Sequence, residues 1–135
     1  MIKTLKYIPK IWTALTFLLL IVISLFLFFG RNFQNFRPEP ILNLLPDFYN
    51  HISNLSISFM IYITIGYFGL MIDIKIKQLI VIGTVVILIN LIFELFISFL
   101  NTPDTVDAVY GICGVVFGFI FLFTAKNSGF KLNEL

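Results

Sequence analysis

The chain has few charged residues and a single cysteine, and both shortages restrict what it can be. Charged residues make up 12% of its 135 residues, whereas water-soluble domains average about a quarter. Hydrophobic residues make up 59% and the mean hydropathy is +1.02, so a lipid bilayer is the expected solvent. Cys113 has no second cysteine with which to form an intramolecular disulfide, and we expect it to pack as a small apolar side chain.

Motifs for nucleophilic catalysis and zinc binding are also missing. His51 is the one histidine, and no serine or cysteine stands in a recognisable motif with a base. Scattered acidic residues and His51 offer oxygen and nitrogen ligands, but no compact spacing fixes a coordination number. The sequence therefore assigns no metal, cofactor or catalytic residue, leaves enzymatic activity undecided, and gives no indication of a nucleic acid partner.

Four apolar runs are each long enough to cross the hydrocarbon, which takes roughly 20 residues of helix. The runs lack the alternation of membrane strands, so helices are left as the way to pair the backbone in lipid. The first run is longer than a signal-peptide core and has no small-x-small cleavage pattern, which favours a retained anchor. We expect one all-α membrane domain over residues 1–135, a bundle with spans at 11–29, 52–72, 79–100 and about 108–125.

Basic residues indicate how these helices are oriented, because they tend to remain on the cytoplasmic side of short loops. A cytoplasmic N-terminus leaves only Arg31 and Arg37 outside, and it places both termini of a multi-pass cell-membrane protein in the cytoplasm. Seven lysines then lie inside: Lys3, Lys6, Lys10, Lys75, Lys77, Lys126 and Lys131. Most acidic residues lie outside: Glu39, Asp47, Asp104 and Asp107.

The longest connection, residues 30–50, differs from a solvated linker. Pro38, Pro40 and Pro46 interrupt any continuous helix, while many of the remaining residues are apolar. This composition predicts a segment lying in the outer membrane interface. Both a simple tether and a lid over a ligand fit it.

Glu94 is the most informative residue, because it is the one carboxylate inside an apolar run. Inserting such a group costs at least ~3 kcal/mol, and intramembrane carboxylates are usually functional. It lies six positions before the predicted end of the span at Leu100, which places it ~9 Å below the outer end. Glu94 is interpreted either as a ligand-binding group or as a structural group bonded to Asn90, His51 or Tyr62.

Helical spacing places polar and small residues of three spans on narrow stripes, which we expect to face one another. The stripe of the second span is Asp47, His51, Asn54, Ser58 and Tyr62. That of the third is Gly83, Asn90, Glu94 and Ser98, continued by Asn101, and that of the fourth is Asp107, Gly111, Gly114 and Gly118. Predicted binding residues are Asp47, His51, Asn90, Glu94, Asp104 and Asp107; predicted helix-packing residues are Gly83, Gly111, Gly114 and Gly118. The first span has only Thr13, Thr16 and Ser24, which can bond back to their own helix, and is predicted to be scaffold.

The pattern from Asp47 to Gly118 resembles the VanZ-like family of small bacterial membrane proteins. The family pairs an Asp and a His four apart, as Asp47 and His51 do, and carries a Glu late in the next span. The remaining matches are Thr102, Pro103, Asp104, Asp107, Gly114 and Gly118. Asn101 stands where the family often has an arginine. The resemblance implies a role in the bacterial envelope and in glycopeptide (teicoplanin) antibiotic resistance.

Three functions fit these residues. The first is a non-enzymatic protein whose outward polar recess binds membrane lipids by their headgroups, a cell-wall precursor or a lipoglycopeptide. The second is a small oligomeric transporter coupled to protons or cations through Glu94. The third is an intramembrane enzyme acting on a lipid-linked substrate.

Overall fold

Four long apolar helices dominate the computed structural model, which describes residues 5–96 and 104–134. Each of the four is long and apolar enough to cross a membrane. In chain order the elements are β1 (Tyr7–Pro9), α1 (Ile11–Gly30), a 3-10 turn (Gln34–Phe36), α2 (Glu39–Leu44), α3 (Phe48–Met71), α4 (Ile76–Phe96), α5 (Thr105–Thr124), a π-helical turn (Ala125–Gly129) and β2 (Phe130–Leu132).

The helices begin earlier than hydropathy alone predicts, because polar residues form their first turns. α3 begins at Phe48, four residues before the expected start, and α5 begins at Thr105. The 30–50 segment contains the short helix α2, with Pro40 in its first turn, where a missing N–H removes no helical hydrogen bond. The predicted end of the third span and the predicted residues Ser98, Asn101, Thr102 and Pro103 lie outside the described residues, as does Lys3.

The centre of the bundle is α3, which packs against α1, α4 and most extensively α5. It is the least apolar of the four spans and the most buried. A central position suits the polar residues of α3, because neighbouring helices can supply their hydrogen-bond partners and lipid cannot. The predicted convergence of polar stripes on this helix follows from the same requirement.

Close backbone approach joins α3 to α5. A Cβ added to Gly114 would lie 2.3 Å from the Leu55 carbonyl oxygen, and one added to Gly118 would lie 2.8 Å from the Tyr62 ring. The same ring lies against Gly83 of α4, and its hydroxyl donates to the Leu79 carbonyl at 3.0 Å. Small residues thus let three helices meet around one aromatic side chain.

A short antiparallel ribbon, which the sequence did not predict, joins the two terminal segments. β1 pairs with β2, with Tyr7 opposite Leu132. Thr13 donates to the Gly129 carbonyl at 2.8 Å, so the prediction that Thr13 bonds back to its own helix was wrong. Ser24 does bond back, to Leu20. The ribbon places both terminal segments at one end of the bundle, called here the lysine end; the opposite end, where α3 and α5 begin, is called the acidic end.

The turn from α3 to α4 closes the lysine end with a Schellman motif. Asp73 adopts a positive φ of 71°, its N–H bonds to the Leu70 carbonyl, and the Ile74 N–H bonds to the Gly69 carbonyl. The Asp73 side chain accepts a hydrogen bond from Lys6, and Lys126 donates to the Ile74 carbonyl at 2.7 Å. The N-terminal segment, the turn and the end of α5 are therefore tied together.

The Lys6–Asp73 ion pair predicts a pH dependence of stability. Its hydrogen bond lowers the pKa of Asp73 below the ordinary value of 3.8 and raises the pKa of Lys6 above the ordinary 10.5. A carboxyl group whose pKa is lower in the folded protein stabilises the fold at pH values above its unfolded pKa, and this stabilisation is lost as the pH falls through its folded pKa. A lysine whose pKa is higher in the folded protein stabilises the fold at pH values below its unfolded pKa, and this stabilisation is lost as the pH rises through its folded pKa. We expect the stability difference between wild type and Asp73→Asn to be flat from about pH 5 to 9 and to shrink below about pH 4.

Thermal unfolding in detergent micelles across this pH range measures the difference. Asparagine tolerates positive φ, so the substitution removes the charge without straining the turn. Glu39→Gln, at the exposed start of α2, serves as the control carboxylate. A difference that persists undiminished at pH 3 would contradict the assignment.

Candidate functional site

Two aspartates at the start of α5 meet the one histidine at the start of α3. Asp104 caps α5, its Oδ1 accepting the Val106 N–H at 2.8 Å, and Asp107 follows within the first turn. His51 Nδ1 lies 2.7 Å from Asp107 Oδ1 and 3.7 Å from Asp104 Oδ2. Asp107 is only 7% exposed. These three residues are called the His51 cluster.

Glu94, on the last described turn of α4, lies beside this cluster and is 2% exposed. The Asn54 amide is within hydrogen-bonding range of its carboxylate, and Asp104, Asp107 and Arg31 are among its electrostatic neighbours. Its backbone carbonyl accepts the Asp104 N–H at 3.4 Å, which connects α4 to the cap of α5. His51 Nδ1 lies within hydrogen-bonding distance of Asp107, and the Tyr62 hydroxyl donates to the Leu79 carbonyl, while Asn90 lines the same cavity as Glu94. That Glu94 is a structural group bonded to Asn90, His51 or Tyr62 stays a prediction.

Arg31 supplies a cation that the sequence analysis missed. It directly follows α1, donates to the Ser53 hydroxyl, and lines the same pocket as Glu94 and Asp107. The interior of the first span has few polar residues, which is why that span was predicted to be scaffold. The signal in the sequence was an arginine directly after that span, at the acidic end. Arg31 lines the same pocket as Glu94, whereas Asn101, which stands where the VanZ-like family often has an arginine, carries no charge.

Two adjoining cavities meet at Glu94. The first, called the polar pocket, has a volume of about 360 Å³. The second, called the apolar groove, runs between α3 and α4 with a volume of about 270 Å³. Polar residues of the pocket are Arg31, Asn32, Ser53, Asn54, Glu94 and Asp107. The groove is lined by Asn54, Ile57, Ser58, Ile61, Val86, Ile89, Asn90, Phe93 and Glu94.

The remaining predicted residues occupy different places. Asp47 stands at the exposed N-cap position of α3, accepts a hydrogen bond from Asn50 at 3.4 Å, and is not among the residues lining either cavity. Asp47, at the end of the stripe that includes His51 and Asn54, therefore lies outside both cavities. Asn90 lines the groove, and its amide occupies the space that a Cβ at Gly111 would fill, 2.3 Å away.

The His51 cluster also has the composition of a cation site. One ligand atom from each of the three residues lies within 4.8 Å of the others. The sequence assigned no metal because His51 is more than 50 positions from Asp104 and Asp107, and only folding brings it to them. The same side chains can alternatively function as a hydrogen-bonded helix clamp without a cation.

Comparison with known proteins found no match to the chain among family models, curated proteins or solved structures. The arrangement of residues at the acidic end is therefore the basis for assigning a function.

Proposed function

We propose that this is a non-enzymatic integral membrane protein of the bacterial envelope that binds an amphiphilic ligand at its acidic end. The supporting observation is the position of Glu94, a buried carboxylate that lines both an apolar groove and a polar pocket. An amphiphile has the same division between an apolar tail and a polar head. The ligand classes with this chemistry are a lipid headgroup with its acyl chain, a lipid-linked cell-wall precursor and a lipoglycopeptide.

The apolar groove is suited to a tail because its walls are hydrocarbon and open toward the lipid-facing sides of α3 and α4. Ile57, Ile61, Ile89 and Phe93 line it while remaining exposed on the bundle surface. A tail can therefore enter sideways from the bilayer. A tail that enters from the bilayer stays in apolar surroundings throughout. Entry through the polar pocket would be less favourable, because the tail would lie against polar groups there.

The polar pocket is suited to a headgroup because it offers both donors and acceptors. Arg31 provides a guanidinium, which binds phosphate and carboxylate oxygens strongly, and Asn54 provides an amide. Glu94 and Asp107 provide carboxylate oxygens for hydroxyl or amine donors of the ligand. A headgroup bearing phosphate or sugar hydroxyls can satisfy this set.

The distribution of lysine residues predicts that the acidic end lies on the extracytoplasmic side and that both termini lie in the cytoplasm. A site there faces the leaflet in which wall precursors and glycopeptide antibiotics are encountered. The resemblance to VanZ-like proteins predicts the same side and adds a lipid-tailed glycopeptide, teicoplanin, as one ligand. That resemblance remains a hypothesis, whose test is the antibiotic susceptibility of cells carrying the variants below.

Filling the apolar groove tests the binding of a tail. Ile61→Trp places an indole in the groove, whereas Ile65→Trp, one turn along α3, places it outside; the two isoleucines are 46% and 48% exposed. In nanodiscs we expect Ile61→Trp to weaken binding of teicoplanin, a polyprenyl-linked wall precursor or a tail-photoreactive phospholipid by about tenfold, or about 1.4 kcal/mol. Ile65→Trp should bind as wild type does.

A glycopeptide without a lipid tail completes the comparison, because its binding should not depend on Ile61. Equal effects of the two tryptophans, or no effect of either, would contradict the proposal. In cells, Glu94→Gln and Asp107→Asn, expressed normally, should alter teicoplanin susceptibility. Proton or cation flux in proteoliposomes that is lost in Glu94→Gln would instead support the transporter hypothesis.

A further inference from the structure

We propose that the His51 cluster binds a first-row divalent cation such as Zn²⁺ or Mn²⁺ through His51 Nδ1, Asp104 Oδ2 and Asp107 Oδ1. This inference does not require the amphiphile proposal, because it rests on the ligand atoms of the His51 cluster, of which only Asp107 also lines the polar pocket. One imidazole nitrogen and two carboxylate oxygens form a donor set that such ions accept, while Mg²⁺ and Ca²⁺ favour oxygen alone.

The separations of the ligand atoms fit one shared ion. Metal bonds of about 2.0–2.2 Å place adjacent ligand atoms about 3–3.5 Å apart. His51 Nδ1 lies 2.7 Å from Asp107 Oδ1 and 3.7 Å from Asp104 Oδ2, which bracket that range. All three ligand atoms lie within 4.8 Å of one another, so one ion can lie between them after small adjustments of the side chains.

Asp104 divides its two oxygens between two tasks. Its Oδ1 accepts the Val106 N–H and caps α5, while its Oδ2 faces His51. The capping bond fixes the carboxylate in place and leaves the second oxygen for the cation. A capping role for Asp104 therefore supports ligation and does not compete with it.

Charge balance at the acidic end is an independent argument for a cation. Three carboxyl groups, Glu94, Asp104 and Asp107, are electrostatic neighbours, and Glu94 and Asp107 are both more than 90% buried. Arg31 is the one permanent cation among the described residues lining the polar pocket, and residues 97–103 contain no lysine or arginine. The buried Asp107 carboxylate requires compensation, and a divalent ion between it and the partly exposed Asp104 supplies two positive charges.

Zn²⁺ binding to chelator-treated protein in nanodiscs of zwitterionic lipid tests the proposal. We expect a single Zn²⁺ per chain, retained in the presence of millimolar Mg²⁺. Asp104→Asn and His51→Gln should each weaken binding at least about tenfold, the loss that even outer partners of metal ligands typically cause. Because asparagine also caps helices well, Asp104→Asn keeps the start of α5 intact.

Asp47→Asn is the matched control, since Asp47 lies one helical turn from His51 but outside the cluster. It should bind Zn²⁺ as wild type does. Substituted Co²⁺ gives a second measurement, a visible absorption band that changes when the His51 nitrogen is removed. Zn²⁺ retention no greater than in protein-free nanodiscs, or equal affinities of wild type, Asp104→Asn and His51→Gln, would overturn the proposal whatever the outcome for tailed ligands.

Discussion

Gly114→Ala is expected to destabilise the bundle by about 2–3 kcal/mol, within the range for overpacking a well-packed interface. The added methyl would lie 2.3 Å from the Leu55 carbonyl oxygen and 3.1 Å from the Phe59 nitrogen. Both are backbone atoms of α3, so no side-chain rotation relieves the contact. The helices must separate, which also weakens the contact of Gly118 with the Tyr62 ring.

Gly69→Ala is the matched control for this substitution. Its added methyl would lie 2.4 Å from Ile74 Cδ1, the end of a flexible side chain that can rotate away. Both changes gain the same helix propensity of about 1 kcal/mol, so the difference between them isolates the backbone contact. Unfolding by SDS in mixed micelles measures both free energies. Equal stabilities of the two variants would show that α3 and α5 are not in backbone contact at Gly114.

Asp107→Ala is expected to lower the free energy of unfolding by about 2–3 kcal/mol. It removes the hydrogen bond between the Asp107 carboxylate and the His51 imidazole, and hydrogen bonds to charged groups contribute more than neutral ones. His51 Nδ1 lies 2.7 Å from Asp107 Oδ1, and the side chains are 20% and 10% exposed. This bond fastens the first turn of α3 to the first turn of α5 at the end of the bundle farthest from the terminal ribbon. Its loss leaves a largely buried histidine with Asp104 at 3.7 Å as its nearest described carboxylate.

A double-mutant cycle of His51→Ala with Asp107→Ala measures the coupling directly. We expect about 1.5–3 kcal/mol, with EDTA present so that no bound cation contributes. A parallel cycle of His51→Ala with Asp47→Ala should give a coupling near zero, because Asp47 contacts Asn50 and lies away from the cluster. Similar coupling energies in the two cycles would contradict the assignment of the pair.

Several features of the site could be read from spacing alone. Glu94 in an apolar run, His51 near the start of a span and Asp107 followed by glycines at intervals of four and three all lie on faces that the structure brings together. Spacing succeeded there because the helical repeat fixes the relative direction of side chains on one helix. Spacing did not indicate that Asp47, at the exposed N-cap position of α3, lines neither cavity, because exposure at the end of a helix depends on where the preceding chain runs.

The sequence by itself determined that the chain folds as four apolar helices, because backbone groups in lipid must pair within each segment, and this requirement is local. Tertiary structure alone decided that Arg31 lines the same pocket as Glu94, that Thr13 bonds to Gly129, and that two terminal strands pair. These contacts join residues far apart in the chain. Their formation depends on which helix faces can approach, and that is set by side-chain volumes acting between elements and not within them.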